Sequence, residues 1–150
     1  MPLTIEHASI RDLVRLCEIE EECFKTEAFT KQQIATLLED YNCLSFVAEE
    51  NGEIVGFIIG DLRLERNALA GHILTIDVSA KHRRKGIGKR LLHELERVFR
   101  ERHIGACQLE VREDNAQALK LYRKAGYKEI GELQNYYGNA HGLCMKKKLT

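Results

Sequence analysis

The chain has 150 residues, with 23 Lys and Arg against 23 Asp and Glu, so its formal net charge at pH 7 is zero. Apolar residues make up 44% and charged residues 31%, which is typical of a globular domain and not of a disordered chain. No apolar run approaches the ~20 residues of a membrane span, and the first residues lack a signal-peptide core. We therefore expect one domain over residues 1–150, in the cytoplasm, and disfavour a secreted protein, a membrane protein and a wholly basic nucleic-acid binder.

The cysteines are scattered and unpaired in sequence. Five are present, and no two form a C-x-x-C motif. Their odd number and wide spacing indicate reduced, mostly buried thiols and argue against a metal site. The residues are Cys17, Cys23, Cys43, Cys107 and Cys144.

The N-terminal region predicts a short strand at residues 3–5, followed by two helices. Ser9 with Asp12, and Thr30 with Gln33, are the side-chain pairs that begin a helix with a capping box. The second helix is short and is predicted to run through Leu38. The apolar face of the first helix is assigned to Ile10, Leu13, Val14, Leu16 and Cys17.

Three apolar segments then predict strands at residues 43–50, 54–62 and 71–78. Asn51 and Gly52 stand between the first two, which is a strong signal for a two-residue hairpin turn. These segments form the first half of a sheet.

The second half alternates helices and strands. A helix is predicted up to Arg102, because apolar residues recur at helical spacing. A buried strand at 107–111, a helix at 115–125 closed by Gly126, and strands at 127–134 and 143–149 follow. The order βααβββ-loop-αβαββ predicts a mixed α/β sheet with helices on both faces. The helix's apolar positions are Ile87, Leu91, Leu95, Val98 and Phe99.

The charge is unevenly distributed, since residues 81–90 hold six Lys or Arg and no acid. Within them, the segment Arg83-Arg84-Lys85-Gly86-Ile87-Gly88 joins a strand to a helix. Glycines let the backbone approach an anion, and the first helical N–H groups are unpaired. The P-loop and dinucleotide spacings are not met, because Arg90 follows Lys89 and residue 91 is Leu. A phosphate site is favoured over a solvated basic loop or a nucleic-acid patch.

A second set of candidate residues follows. Glu110 lies between apolar residues of a strand expected to be covered on both faces, where a lone carboxylate is costly unless paired or functional. Asn115, Ala118 and Tyr122 share one helix face at spacing i, i+3, i+7. Taken singly, they also fit an edge Glu, an N-cap Asn and a core Tyr.

These motifs resemble the GCN5-related N-acetyltransferases over nearly the whole chain. Within that family, the sequence looks like the ribosomal-protein-alanine acetyltransferases and their archaeal relatives. The motifs that carry the resemblance are Arg83-x-x-Gly86-x-Gly88, Leu109-Glu110-Val111-Arg112, Asn115-x-x-Ala118, Leu121-Tyr122, Gly126-Tyr127 and Asn135-Tyr136-Tyr137.

The resemblance implies acetyl-CoA as cofactor, no metal, and a protein or peptide N-terminus, including that of a ribosomal protein, as substrate. Nucleic acid and membrane are not expected as partners. It implies that Glu110 is the general base and Tyr122 the acid that protonates the departing thiolate. Phe29, Tyr136 and Tyr137 are expected to bind the substrate. The expected cofactor-binding residues are Ile76, Asp77, Val78, Arg83, Arg84, Lys85, Gly86, Ile87, Gly88, Lys89, Asn115 and Tyr122.

Two loops depart from the family pattern. The loop at 23–29 has no Pro, and the loop at 138–142 is one residue shorter and has no acid. The acceptor therefore stays open between an N-terminal α-amine, a small-molecule amine and a lysine side chain. A non-catalytic acyl-CoA-binding module and a nucleic-acid-binding module are the alternatives from other classes.

Overall fold

The computed structural model describes residues 2–150. Its seven strands form one sheet in the order β1-β2-β3-β4-β5-β7-β6, in which only β4 and β5 run parallel. The predicted order of elements is confirmed. The elements are β1 (Thr4–His7), α1 (Leu13–Cys23), α2 (Lys31–Glu39), β2 (Cys43–Glu50), β3 (Glu53–Glu65), β4 (Ala68–Val78), α3 (Ile87–Glu101), β5 (Ala106–Arg112), α4 (Ala116–Lys124), β6 (Lys128–Leu133) and β7 (Gly142–Lys148).

Helices cover both faces of the sheet, as the sequence predicts. α1 and α2 pack on one face through a cluster that includes Leu16, Ile19 and Ile34. α3 and α4 pack on the other through a larger apolar cluster. Gly71 allows the close approach of α3, because a Cβ there would lie 2.5 Å from the ring of Phe99. Within residues 2–150, no helix is long and apolar enough to cross a membrane.

The turns of the β2–β3 and β3–β4 hairpins differ in how clearly the sequence predicts them. Asn51 and Gly52 adopt φ values of 55° and 77°, which confirms the predicted turn between β2 and β3. The prediction that the next strands end at 62 and restart at 71 is wrong. β3 and β4 continue to a two-residue turn at Arg66-Asn67, with φ of 45° and 70°. An Arg-Asn pair lacks the glycine that marks such turns.

The apolar face of α1 needs correction. Ser9 and Asp12 form the predicted capping box, on a short 3₁₀ turn that leads into the helix. However, Ile10 is 47% and Val14 62% exposed, so neither belongs to the core. The buried face instead includes Glu20, a carboxylate that an apolar pattern does not assign to the core.

The prediction of mostly buried thiols is also wrong. All five cysteines are free, and only Cys107 is buried. The other four are half-buried: Cys17 lies within α1, Cys23 at its end, Cys43 at the start of β2 and Cys144 in β7.

Candidate active site

The site lies where β4 and β5 separate. The two strands pair only through residues 71–73 of β4 and 107–109 of β5. Beyond these three pairs, their facing backbone edges are unpaired, and a cavity of about 370 Å³ opens beside them. All five predicted catalytic and substrate-binding residues line it. The lining includes Glu20, Phe24, Glu27, Phe29, His72, Thr75, Ile76, Glu110, Arg112, Asn115, Tyr122, Tyr136 and Tyr137.

The carboxylate of Glu110 is paired with a buried histidine. His72 Nε2 lies 2.8 Å from Glu110 Oε1 and 2.9 Å from Oε2, so a hydrogen on Nε2 donates to both carboxylate oxygens. Only 5% of the His72 side chain is exposed, against 18% for Glu110. On the far side of the ring, Asp61 Oδ1 is 3.6 Å from Nδ1, and neither atom has a hydrogen-bond partner. The pair therefore places a fixed carboxylate at the cavity wall.

Sequence reasoning missed His72. Thr75 and His72 are three residues apart in β4, so strict alternation puts them on opposite faces. The register shifts at this point: Ile59 pairs with Thr75 and Gly60 with Ile73, which leaves one residue of β4 without a partner. Such a bulge turns both side chains to the same face. An irregular strand is not visible in the hydrophobic pattern.

The expectation that β5 is covered on both faces is wrong. Leu109 and Val111 are buried in the cluster beneath α3 and α4, as predicted. The face that carries Glu110 has no helix over it and borders the cavity instead. Glu110 is therefore held by one buried partner and reached by solvent.

Tyr122 and Asn115 enter the cavity from α4. The Asn115 side chain accepts a hydrogen bond from Ala118 N at 3.1 Å, so it is the N-cap residue of α4 as well as part of the cavity wall. Tyr122 is buried, and burial raises the pKa of its phenol well above the ordinary value. A phenol is protonated at neutral pH even at its ordinary pKa of ~10, so Tyr122 holds a hydroxyl hydrogen at the cavity wall.

Aromatic residues from two loops form the wall opposite Tyr122. Phe29 comes from the segment between α1 and α2, and the tyrosine pair from the segment between β6 and β7. The Tyr136 and Tyr137 rings contact edge to face at 4.9 Å. The Arg112 guanidinium lies 5.6 Å from the centre of the Tyr137 ring and 3.5 Å from Glu27. The three predicted substrate residues thus meet at one opening.

The start of α3 presents unpaired backbone donors. Gly86 is the N-cap residue, with φ of 79° and no side-chain cap, and the first helical hydrogen bond runs from Arg90 N to Gly86 O. The N–H groups of residues 87–89 therefore have no helical acceptor. A Cβ at Gly86 would meet nothing within 4 Å, so the space above the turn is open. This geometry fits a pyrophosphate.

Two of the side chains predicted to bind the pyrophosphate, in the segment 83–89 (the phosphate cradle), contact other groups of the protein. The Arg83 guanidinium donates to Val78 O at 3.2 Å and contacts Cys23 Sγ at 3.4 Å, and Lys85 pairs with Glu50 at 3.6 Å. The segment offers anion contacts mainly through its backbone, together with exposed Arg84 and Lys89.

The end of β4 forms the other predicted cofactor contact. Ile76 lines the cavity, and Val78 is half-buried. The Asp77 side chain points away from this edge and is buried beside Thr75, whose hydroxyl lies 2.6 Å from Asp77 Oδ1. Only the backbone of Asp77 is therefore available to a bound cofactor.

Two further features lie outside this arrangement. A larger, shallower depression of about 1000 Å³ surrounds the β3–β4 turn and the start of β5, and it contains none of the predicted site residues. Among residues 2–150, no group of three or more His, Cys, Asp or Glu side chains has an arrangement that could hold a metal ion.

Comparison with known proteins gives the family. The acetyltransferase (GNAT) family model matches residues 10–127. An N-alpha-acetyltransferase of Sulfurisphaera tokodaii is 35% identical over 111 residues, which are 68% of this chain and 66% of that protein. An uncharacterised N-acetyltransferase of Methanocaldococcus jannaschii is 34% identical over 97% of this chain and 92% of its own. The catalytic subunit NAA20 of the Arabidopsis thaliana N-terminal acetyltransferase B complex is 31% identical over 98% and 86%.

Solved structures share the fold. Ard1 of Thermoplasma volcanium superposes with a TM-score of 0.89 at 28% identity, covering 100% of this chain and 99% of that one. The ribosomal-protein-S18-alanine N-acetyltransferase of Escherichia coli gives 0.87 at 25%, covering 99% and 95%. Arabidopsis thaliana NAA60, solved with acetyl-CoA, gives 0.86 at 18%, covering 98% of both chains. The chain therefore belongs to the GNAT family and is an N-acetyltransferase that uses acetyl-CoA.

Proposed function

We propose that the chain transfers acetyl from acetyl-CoA to the N-terminal α-amine of a protein or peptide. Glu110 is the general base in this proposal and Tyr122 the general acid. The observation that carries it is the single cavity at the β4–β5 opening, which brings the Glu110–His72 pair, the protonated phenol and the aromatic wall together.

The cofactor position follows from the two unpaired backbone regions. The N–H groups of residues 87–89 suit the pyrophosphate, and the edge of β4 at residues 76–78, which β5 does not pair, suits the pantetheine arm. Asn115 lies near that arm at the cavity wall. When bound there, acetyl-CoA supplies an acetyl group on a thioester.

Each catalytic side chain has a task that suits its surroundings. A free α-amine has a pKa of ~8, so it is largely protonated near pH 7 and needs a base to become a nucleophile. Glu110 takes that proton directly or through one water, and His72 Nε2 holds the carboxylate in place. Tyr122 carries its phenolic proton near pH 7, and its hydroxyl donates that proton to the sulfur as the acetyl group is transferred.

The acceptor class is supported by the opening and by the relatives. Phe29, Tyr136 and Tyr137, from two loops, line the same cavity as Glu110. Such a site suits the terminal residues of an extended chain. The named relatives in Sulfurisphaera tokodaii and Arabidopsis thaliana are N-terminal acetyltransferases. We also propose that residues 1–150 form one catalytic domain, which the single seven-stranded sheet supports.

The test is a panel of short peptides that differ in their first two residues, with spermidine and free lysine alongside. Coenzyme A release gives the rate, and mass spectrometry locates the acetyl group. We expect the α-amine of at least one peptide to be modified, with marked dependence on the first two residues.

The matched control is the same peptide blocked at its N-terminus but carrying an internal lysine. Turnover of the blocked peptide, or of spermidine alone, would replace the proposal with lysine or small-amine acetylation. Binding of acetyl-CoA with no turnover of any acceptor would indicate the non-catalytic module.

A further inference from the structure

Three buried polar side chains form a hydrogen-bonded group between α1 and β4, beside the cavity. Glu20 belongs to α1, and Thr75 and Asp77 to β4; each is at most 5% exposed. Thr75 Oγ1 lies 3.0 Å from Glu20 Oε1 and 2.6 Å from Asp77 Oδ1. Two carboxyl groups thus share one hydroxyl inside the protein.

Counting hydrogens fixes the direction of these bonds. The Thr75 hydroxyl has one hydrogen and can donate to only one carboxyl group. The other contact is a hydrogen bond only if the second carboxyl group carries a proton and donates to Thr75 Oγ1. Asp77 Oδ2 has no partner at all, which suits the carbonyl oxygen of a neutral acid better than half of a carboxylate.

The surroundings place that proton on Asp77. Burial raises the pKa of the Asp77 carboxyl well above its usual range, and the Glu20 charge raises it further. The groups that face it are Cys23 from α1, Arg83 from the segment after β4, and Tyr122 from α4. The Thr75 hydroxyl and the Arg83 charge act in the opposite direction, but the pKa of Asp77 remains raised.

The other end of the chain of bonds reaches the acceptor side. Glu20 Oε2 accepts a hydrogen bond from Phe29 N at 3.0 Å. Phe29 lies in the segment between α1 and α2 that lines the cavity. The backbone of this segment is therefore tied, through the buried Glu20 carboxyl group and the Thr75 hydroxyl, to β4.

We propose that protonated Asp77 donates to Thr75, that Thr75 donates to Glu20, and that Glu20 thereby holds the Phe29 backbone in the position that binds the acceptor. Glu20 and Asp77 are positioning residues of the acceptor site, and neither touches the reacting atoms. This inference rests on the proposed function for its kinetic consequence, but the bonds themselves can be tested without turnover.

The first test measures amide hydrogen exchange at Phe29 and the affinity for acetyl-CoA. Glu20→Leu removes the acceptor of the Phe29 N–H, so exchange should speed up by about 10-fold or more. Glu20→Gln keeps an oxygen there and should restore most of the protection. Thr75→Val should act like Glu20→Leu, and Thr75→Ser like Glu20→Gln. Acetyl-CoA affinity by calorimetry should change less than twofold in all four.

The second test measures steady-state kinetics with the peptide that the wild-type protein acetylates best. Glu20→Leu should raise the KM for this peptide about 10-fold and leave the KM for acetyl-CoA unchanged. The peptide KM of Glu20→Gln should lie between those of wild type and Glu20→Leu. Glu21→Leu is the matched control, because Glu21 is the exposed neighbour on the same helix. Unchanged Phe29 exchange in Glu20→Leu, or equal KM values in Leu and Gln variants, would overturn the inference.

A direct measurement of the proton completes the test. The carboxyl carbons of Glu20 and Asp77, followed by NMR, should show one protonated carboxyl group at pH 7. Two ionised groups at that pH would contradict the proposal. If no peptide is acetylated by the wild-type protein, the proposed function fails, whereas exchange and carboxyl titration still decide the positioning role.

Discussion

The side of the site that we propose for the cofactor (the cofactor side) and the side that we propose for the acceptor (the acceptor side) are built in different ways. The cofactor side is backbone: the first turn of α3 after Gly86 and the free edge of β4 at residues 76–78. The acceptor side is side chain, with Phe29, Tyr136 and Tyr137 brought from two loops far apart in sequence. Backbone sites need only a local motif, whereas side-chain sites need the whole fold to be in place.

This difference sets what a substitution can do. Most side-chain substitutions leave the backbone N–H groups in place. Cofactor affinity should therefore fall only when a substitution adds a repelling charge or changes the backbone conformation. The proposed general base, Glu110, is a single side chain with one buried partner, so its removal should have the largest effect. Measuring acetyl-CoA affinity and turnover separately for each variant shows which of the two sides a substitution affects.

Glu110→Gln should reduce kcat by roughly 10²–10⁴-fold, the usual contribution of a general base, with little change in acetyl-CoA affinity. The amide oxygen can still accept from His72 Nε2, so the local fold is kept. The loss should be smallest at alkaline pH, where the α-amine, with a pKa of ~8, deprotonates unaided. Steady-state rates from pH 6 to 10 provide the measurement.

Glu113→Gln is the matched control, since this exposed carboxylate lies three residues further on. A loss of equal size at every pH in Glu110→Gln would mean that the carboxylate positions the substrate and does not remove its proton.

Gly86→Glu should weaken acetyl-CoA binding by about 100-fold. A negative charge about 5 Å from a phosphate charge costs about 3 kcal/mol at an effective dielectric constant of 20. Gly52→Glu is the control, because Gly52 has φ of 77° against 79° at Gly86 and the same open space for a side chain. Calorimetry on both folded variants should show the loss only at Gly86; equal affinities would remove the pyrophosphate assignment.

Tyr122→Phe should reduce kcat by about 10–100-fold, while acetyl-CoA still binds. A thiolate, whose parent thiol has a pKa of ~8.5, can leave without protonation at some cost, so the effect is below that of the base. Single-turnover rates should show the loss shrinking with an acyl donor whose thiol is more acidic.

Tyr127→Phe controls for loss of a phenol in the same region, since its ring is 5.8 Å from that of Tyr122. The Tyr127 hydroxyl donates to buried Glu96 at 2.8 Å, so this variant should lose stability and keep its kcat. If Tyr122→Phe keeps full single-turnover activity, Tyr122 is a core residue and not the acid.

The same contrast explains which features the sequence predicts. The order of the elements, the Asn51-Gly52 turn and the cradle at Gly86 are local patterns, and the structure contains each of them. His72 and Glu20 are tertiary features. The first faces the cavity because of a bulge opposite the Ile59–Gly60 step, and the second is a carboxylate buried in a helix. Neither a β-bulge nor a buried carboxyl group can be recognised from the hydrophobic periodicity of the sequence.

Asp77→Asn addresses the region where the two sides meet and should have the smallest effect on turnover, so its readout is stability. The pKa of Asp77 is raised in the folded protein, so over the window above the unfolded value of ~3.9 the folded state holds a proton that the unfolded state has lost. The stability that this group contributes is complete below pH ~3.9 and falls as pH rises toward the folded pKa, by at most about 1.4 kcal/mol per pH unit.

Asn cannot titrate, and its amide donates to Thr75 as the protonated acid does. The variant should therefore gain stability relative to wild type as pH increases from 5 to 8, measured by urea unfolding. Asp114→Asn is the control. Arg112 lowers the pKa of this exposed carboxylate, so Asp114 is ionised in both the folded and the unfolded state from pH 5 to 8 and its contribution falls only below the unfolded value of ~3.9. The stability difference between Asp114→Asn and wild type should therefore stay constant over the measured range. A stability difference between Asp77→Asn and wild type that does not change with pH would show that Asp77 is ionised in the folded protein, and the bond from Asp77 to Thr75 would then have to be abandoned.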